Sequence, residues 1–132
     1  MMMRSIVLVA AAVLAMVTDA RAQIAVSAND NKVLLDNGVV KNVPNAPPDT
    51  VSIIDLRSSP PRVIGEVQAP VSVAGPPLNV AVTPDESLAI VTASEKVDPS
   101  DPTKRVPNNQ VSVIDLKASP PRVLAAIRAA GL

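Results

Sequence analysis

Apolar and polar residues alternate with period two along several short runs. Leu78-Asn-Val-Ala-Val-Thr83 alternates and stops at Pro84-Asp85-Glu86-Ser87; Leu88-Ala-Ile-Val-Thr92, Gln110-Val-Ser-Val-Ile-Asp115 and Arg122-Val-Leu-Ala-Ala-Ile127 follow. Alternation, β-branched enrichment and Pro/Asp/Ser punctuation are strand and turn cues. The same signals occur earlier: Ile24-Ala-Val-Ser27, a turn at Ala28-Asn-Asp-Asn31, Lys32-Val-Leu-Leu35, Thr50-Val-Ser-Ile-Ile-Asp55 and Arg62-Val-Ile-Gly-Glu-Val67. The pattern predicts an all-β chain with four strands in each half. Helix competes only at Arg122 to Ala130, where alanines favour it; the aligned Arg62 to Gln68 reads as strand and argues for strand in both.

The two halves are copies. Val51 to Ala69 returns as Val111 to Ala129, with 11 of 19 positions identical and most others swapped like for like. Self-similarity at a long fixed period marks a repeat architecture of stacked supersecondary units. Aligning the strand patterns gives an offset of 56 before the loop between second and third strands and 60 after it. That loop, about Asp36 to Asp49 in the first copy and Ser94 to Asn109 in the second, is then expected to be four residues longer in the second. The fourteen prolines are expected between strands, because proline cannot donate to a ladder. The Ser-Pro-Pro steps before Arg62 and Arg122 favour an extended approach to the fourth strand.

Asn79-Val-Ala-Val-Thr-Pro-Asp-Glu-Ser-Leu-Ala-Ile-Val-Thr-Ala93, followed by Asn109-Gln-Val-Ser-Val-Ile-Asp-Leu116, resembles the repeat of YVTN-family β-propellers. There a V-A-V-(S/T)-P-D turn leads into a Y-V-T-N strand and then a V-S-V-I-D strand. The chain departs at the name-giving motif: Ile90-Val-Thr-Ala93 and Leu34-Leu-Asp-Asn37 lack the tyrosine. The resemblance covers essentially residues 23 to 129. It implies a partial β-propeller of two four-stranded antiparallel blades, 23–69 and 70–132, because radial repetition of such sheets protects strand edges. Similar propellers occur as envelope repeat proteins, lactonase-like enzymes and dehydrogenase-associated domains, and fold does not fix function.

Residues 1–22 read as a secretory signal peptide helix. Arg4 supplies the positive n-region, Ile6 to Val17 is an apolar run, and Ala20-Arg21-Ala22 has the small-x-small form of a cleavage site before Gln23. Twelve apolar residues fall short of the roughly 20 needed to cross a bilayer, so no integral span is expected after cleavage. The location expected is periplasmic or secreted.

Composition narrows the function further. Beyond residue 22 the net charge is near −1, which gives no electrostatic case for nucleic acid. Aromatic residues are absent, and with them base-stacking platforms. There is no cysteine and no histidine, so thiol chemistry and the commonest general base are missing. No G-x-S-x-G elbow, H-E-x-x-H or P-loop occurs, and no cofactor is implied.

Asp55 and Asp115, each ending a V-S-(I/V)-I-D strand, and Asp85 after Pro84 read as turn-forming carboxylates rather than catalytic ones. The Glu95 to Arg105 segment, with Glu95, Lys96, Asp98, Asp101, Lys104 and Arg105, is the candidate binding surface, expected as a solvated, partly mobile loop. Arg57 and Lys117 are expected as charges that discourage edge-to-edge aggregation. These features favour a non-catalytic exported module that binds a protein or envelope component through its long loops. The alternative is part of a lactonase-like or dehydrogenase-associated propeller. Known propellers close with four to eight blades. Two blades should therefore leave both end faces exposed, lined by Val26, Val82, Ile90 and Ile114, and should need an oligomer or further blades.

Overall fold

The computed structural model describes residues 22–72 and 79–128; the expected signal peptide lies outside the described residues. Among them the chain forms nine strands and no helix: β1 (Ile24–Asn29), β2 (Val33–Asp36), β3 (Val39–Asn42), β4 (Thr50–Asp55), β5 (Arg62–Gln68), β6 (Val80–Val82), β7 (Leu88–Asp98), β8 (Asp101–Asp115) and β9 (Arg122–Arg128). Arg122–Arg128 is thus strand. All pairings are antiparallel, in three sheets, none closed: β1-β4-β5, the hairpin β2-β3, and the meander β6-β7-β8-β9.

All four strands expected in each copy form, but only the second copy assembles its four into one sheet. Lys32 to Leu35 never joins the first sheet, because β1 pairs directly with β4, Ile24 opposite Asp55 through Asn29 opposite Thr50. In the second copy the matching pairing is β7 with β8, Leu88 opposite Asp115. β1 is therefore the counterpart of β7, at an offset of 64 (24 against 88), while β4 and β8 keep 60 (55 against 115). Hydrogen bonds outside the ladders repeat the equivalence: Leu56 N donates to Gln23 O and Leu116 N to Ser87 O, at 2.8 and 2.9 Å. The long connection is thus four residues longer in the first copy, the reverse of the expectation. The 56 and 64 alignments differ by an even number, so each keeps the in-out alternation, and hydrophobic pattern cannot choose between them.

The extra residues of the first copy fold on themselves as β2-β3. Asp36 pairs with Val39 across Asn37-Gly38, with φ of 50° and 81°. This two-residue turn needs left-handed backbone at both positions, which Asn-Gly supplies at low cost. In the second copy β7 and β8 instead run on as a two-stranded arm that turns at Asp98–Asp101. Pro102 and Pro107 lie inside β8 rather than between strands. Proline is tolerated there because β9 pairs only with Gln110 to Asp115, leaving the arm segment of β8 an edge.

The sheets β1-β4-β5 and β6-β7-β8-β9 pack face to face. Val51, Ile53 and Val67 of the first meet Ala89, Val91 and Ile114 of the second. Leu116 and the linker residues Ala69 and Val71 join them, with Ile24, Val26, Ala28 and Val80 at the margin. Val51, Ile53, Val91 and Ile114 are completely buried. Burying a Val or Ile side chain is worth about 1.5–3 kcal/mol, so this shared layer, rather than either sheet alone, holds the described fold. Ile114 and Val26 therefore do not line exposed end faces as expected, whereas Ile90 and Val82 are 40% and 36% exposed.

Gly65 fixes how closely the sheets approach. A Cβ there would lie 2.8 Å from both Cγ and Cδ of Pro121, so the proline ring seats directly on the glycine backbone. The Ser59-Pro60 and Ser119-Pro120 bonds are cis in both copies, in place of a simple extended approach.

Candidate functional site

The two long connections come together at one end of the molecule. Asn42 at the end of β3 donates from Nδ2 to Pro102 O at 3.0 Å and Lys104 O at 3.5 Å, joining the hairpin of the first copy to the arm of the second. Between them lies an open groove of about 410 Å³, lined by Val43 to Asp49 on one side and Val97, Asp98, Pro99 and Pro102 on the other, with Lys32 at its base. Five prolines in this lining restrict φ and stiffen its walls.

An ion cluster anchors the groove. Lys32 Nζ lies 2.9 Å from Asp30 Oδ1 and 2.7 Å from Asp49 Oδ2, and donates a third bond to Val71 O. Asp49 also accepts from Asn31 N at 3.1 Å and Val71 N at 3.0 Å. The side chains of Lys32, Asp30 and Asp49 are only 14%, 2% and 8% exposed. One lysine thus ties the turn after β1, the approach to β4 and the linker after β5. Buried charge persists only when paired and hydrogen-bonded, and each group here is. Sequence reading missed this cluster, since nothing in spacing alone brings Asp30, Lys32 and Asp49 together. It also missed the Asp36-Asn37-Gly38-Val39 hairpin, for which Asn-Gly is a direct signal.

The candidate binding residues occupy the arm, which is a β-hairpin rather than a loose loop. Glu95 and Lys96 pair in register with Pro107 and Val106. Asp98 Oδ1 accepts from Ser100 N at 2.8 Å and Ser100 Oγ at 2.7 Å; Asp101 Oδ1 accepts from Thr103 N at 3.1 Å and Oγ1 at 2.6 Å. These bonds hold both carboxyls below the usual range, with Ser100 the main cause at Asp98 and Thr103, then Lys104, at Asp101. Lys104 Nζ lies 2.9 Å from Asp101 and Arg105 Nη1 3.2 Å from Glu95. Local pairing explains why this polar segment is ordered: Asp98, Asp101 and Lys104 find their partners within the arm. Arg105 Nη1 is the exception, buried near Glu95 without hydrogen-bond geometry. At the base of the arm, Ser72 Oγ donates to Glu95 O at 2.9 Å and accepts from Glu95 N at 3.0 Å, where the β7–β8 register shifts.

The other candidate carboxylates sit in turns. Asp55 Oδ1 accepts from Arg57 N and Nε, both at 2.9 Å, so Arg57 is an ion partner rather than a free edge charge. The same hydrogen bonding, chiefly from the Arg57 side chain, lowers the Asp55 pKa. Asp115 Oδ1 accepts from Lys117 N at 2.9 Å and Ala118 N at 3.1 Å. Asp85 accepts from Thr83 Oγ1 at 2.6 Å, Ser87 Oγ at 2.8 Å and Ser87 N at 3.1 Å, which lower its pKa to about 2, Thr83 contributing most.

That turn borders a second concavity of about 520 Å³, lined by Ala22 to Ile24, Val82 to Glu86 and Lys117. Glu86 Oε1 accepts from Gln23 N at 2.7 Å and Ile24 N at 3.3 Å, clamping the start of β1 to the second sheet. Among the described residues no three Asp or Glu side chains cluster so as to hold a metal ion, and no helix is long and apolar enough to cross a membrane. No family model, curated protein or solved structure matches this chain.

Proposed function

We propose that the chain is an exported binding module of YVTN-like β-propeller type, non-catalytic by itself, that holds a protein or envelope component in the groove between residues 43–49 and 97–102. The observation that carries this reading is the convergence of the two long connections, one from each copy, into one groove braced by Asn42 and the Lys32 cluster. Binding concentrates on connections held by a rigid scaffold. The antiparallel meander β6-β7-β8-β9, packed on a second sheet of the same repeat, supports the blade reading. The Arg4, Ile6–Val17 and Ala20-Arg21-Ala22 pattern supports export.

The chain should be recovered from the periplasm or medium with Gln23 as its first residue. A photo-cross-linking residue at Pro99 should capture an envelope partner that one at Ser58, in the β4–β5 turn, does not. Replacing residues 95–105 with a short Gly-Ser turn should abolish capture while leaving strand content unchanged, apart from the arm. Capture that survives this replacement rules out the groove.

A further inference from the structure

The outward faces of the two sheets differ in character. On the first sheet, β1 and β4 place Ser27, Asn29, Thr50 and Ser52 outward, and β5 adds Glu66. These side chains bond to one another: Asn29 Nδ2 donates to Thr50 Oγ1 at 3.1 Å and Ser52 Oγ at 2.9 Å, and Ser52 Oγ donates to Glu66 at 3.1 Å. At the equivalent positions the second sheet carries Val91, Ala93, Gln110, Ser112 and Ala126, of which Val91, Ala93 and Ser112 are buried. The first copy thus carries Ser27, Asn29 and Glu66 where the second carries Val91, Ala93 and Ala126, and it satisfies them within its own face.

The second sheet keeps its other face apolar. Leu88, Ile90, Val111, Val113 and Ile127 share it by register. Their counterparts in the first copy, Ile24, Val26, Val51, Ile53 and Val67, are the ones the second sheet covers. Among the described residues nothing covers this face: Ile90 is 40% and Ile127 57% exposed. Its charges, Arg122 and Asp115, lie 3.9 Å apart at one end and neutralise each other. A contiguous exposed apolar face with a polar rim marks an interaction surface.

We infer that a second copy of this chain covers this face, sheet against identical sheet, about a twofold axis. Two alternatives fit less well. A further unit docked as the second sheet docks on the first would seat a proline ring on the residue equivalent to Gly65. That residue is Ala125, and a Cβ at the Gly65 position meets the ring at 2.8 Å. A head-to-tail stack would press the apolar face onto the Asn29–Ser52–Glu66 network and strip water from Glu66, which burial without a cation disfavours. The apolar face matched to itself avoids both penalties, and twofold dimers are the commonest closed assembly. This inference does not rest on the groove, which lies on the connections rather than on the sheet face.

Sedimentation of the purified chain tests it. A dimer is expected, with Ile127→Lys raising the dissociation constant at least about a hundredfold while the circular dichroism is unchanged, since Ile127 is already solvent-facing. Because the chain has no cysteine, Ile90→Cys treated with an added thiol oxidant should form a disulfide-linked dimer, whereas Val63→Cys on the outward face of the first sheet should stay monomeric. A wild-type monomer at high micromolar concentration overturns the proposal. So does a dimer indifferent to Ile127→Lys, or open-ended assemblies in which Val63→Cys cross-links as readily as Ile90→Cys.

Discussion

The hairpins β4–β5 and β8–β9 share their register, a register shift at the same place (Ile53/Ile54 and Val113/Ile114) and a cis Ser-Pro bond. In both, the turn follows an aspartate that accepts from the backbone two residues on. The segments before them, 24–49 and 88–109, share little beyond one strand each. One folds a separate β2-β3 hairpin over a buried lysine, and the other extends as a two-stranded arm with surface ion pairs. The contrast shows which information is local. Residues 51–69 carry their own turn chemistry and strand spacing, so the same sequence yields the same hairpin twice. The connections are decided by what they pack against.

The largest asymmetry expected between the copies lies in how each connection is anchored. Lys32→Met leaves Asp30 and Asp49 as buried carboxylates without their cation, and should destabilise by about 3–5 kcal/mol. Arg105→Met in the arm removes a contact to the part-exposed Glu95 and should cost below about 1 kcal/mol. Urea unfolding of the two variants measures the difference, and equal losses would erase the contrast.

Next in size is the fate of equivalent core positions. Ile53→Ala empties a completely buried site and should cost about 2–5 kcal/mol. Val113→Ala, at the matching place on the open face, should cost below about 1 kcal/mol when measured at concentrations too low for self-association. Thermal melts across a dilution series separate folding from association.

A smaller effect is expected at the sheet-to-sheet contact. Gly65→Ala should cost about 1–3 kcal/mol through overpacking against Pro121, and Pro121→Ala in the same chain should restore part of it. Ala125→Gly, with no such ring above it among the described residues, should cost about 0.5–1 kcal/mol from backbone entropy alone. Additive losses in the Gly65–Pro121 double variant would show that the ring is not the cause.

The smallest effect is a pH dependence in the Thr83–Ser87 turn. The Asp85 carboxyl titrates at about 2 when folded, below its ordinary 3.8. Its stabilisation is therefore present above about pH 4 and lost as the pH falls through 2. The melting temperatures of wild type and Asp85→Asn should run in parallel above pH 5 and converge toward pH 2. A gap that persists at pH 2 would assign the effect to something other than the charge.

What the sequence determined by itself is the all-β class, the repeated 51–69 and 111–129 hairpins and the four strands expected in each copy. Each rests on alternation and turn residues that act within a few positions. The Asn37-Gly38 turn is equally legible, although the pattern of Lys32 to Leu35 taken alone suits a member of the first sheet. Only the tertiary structure decided that β1 rather than Lys32–Leu35 pairs with β4, since a slip by eight residues keeps every side chain on its face. Only packing could bring Lys32 between Asp30 and Asp49, join Asn42 to Pro102, and bury Ile53 while leaving its counterpart Val113 on an open face. Period-two patterning states which residues share a face; which face is covered depends on the sheet that arrives against it.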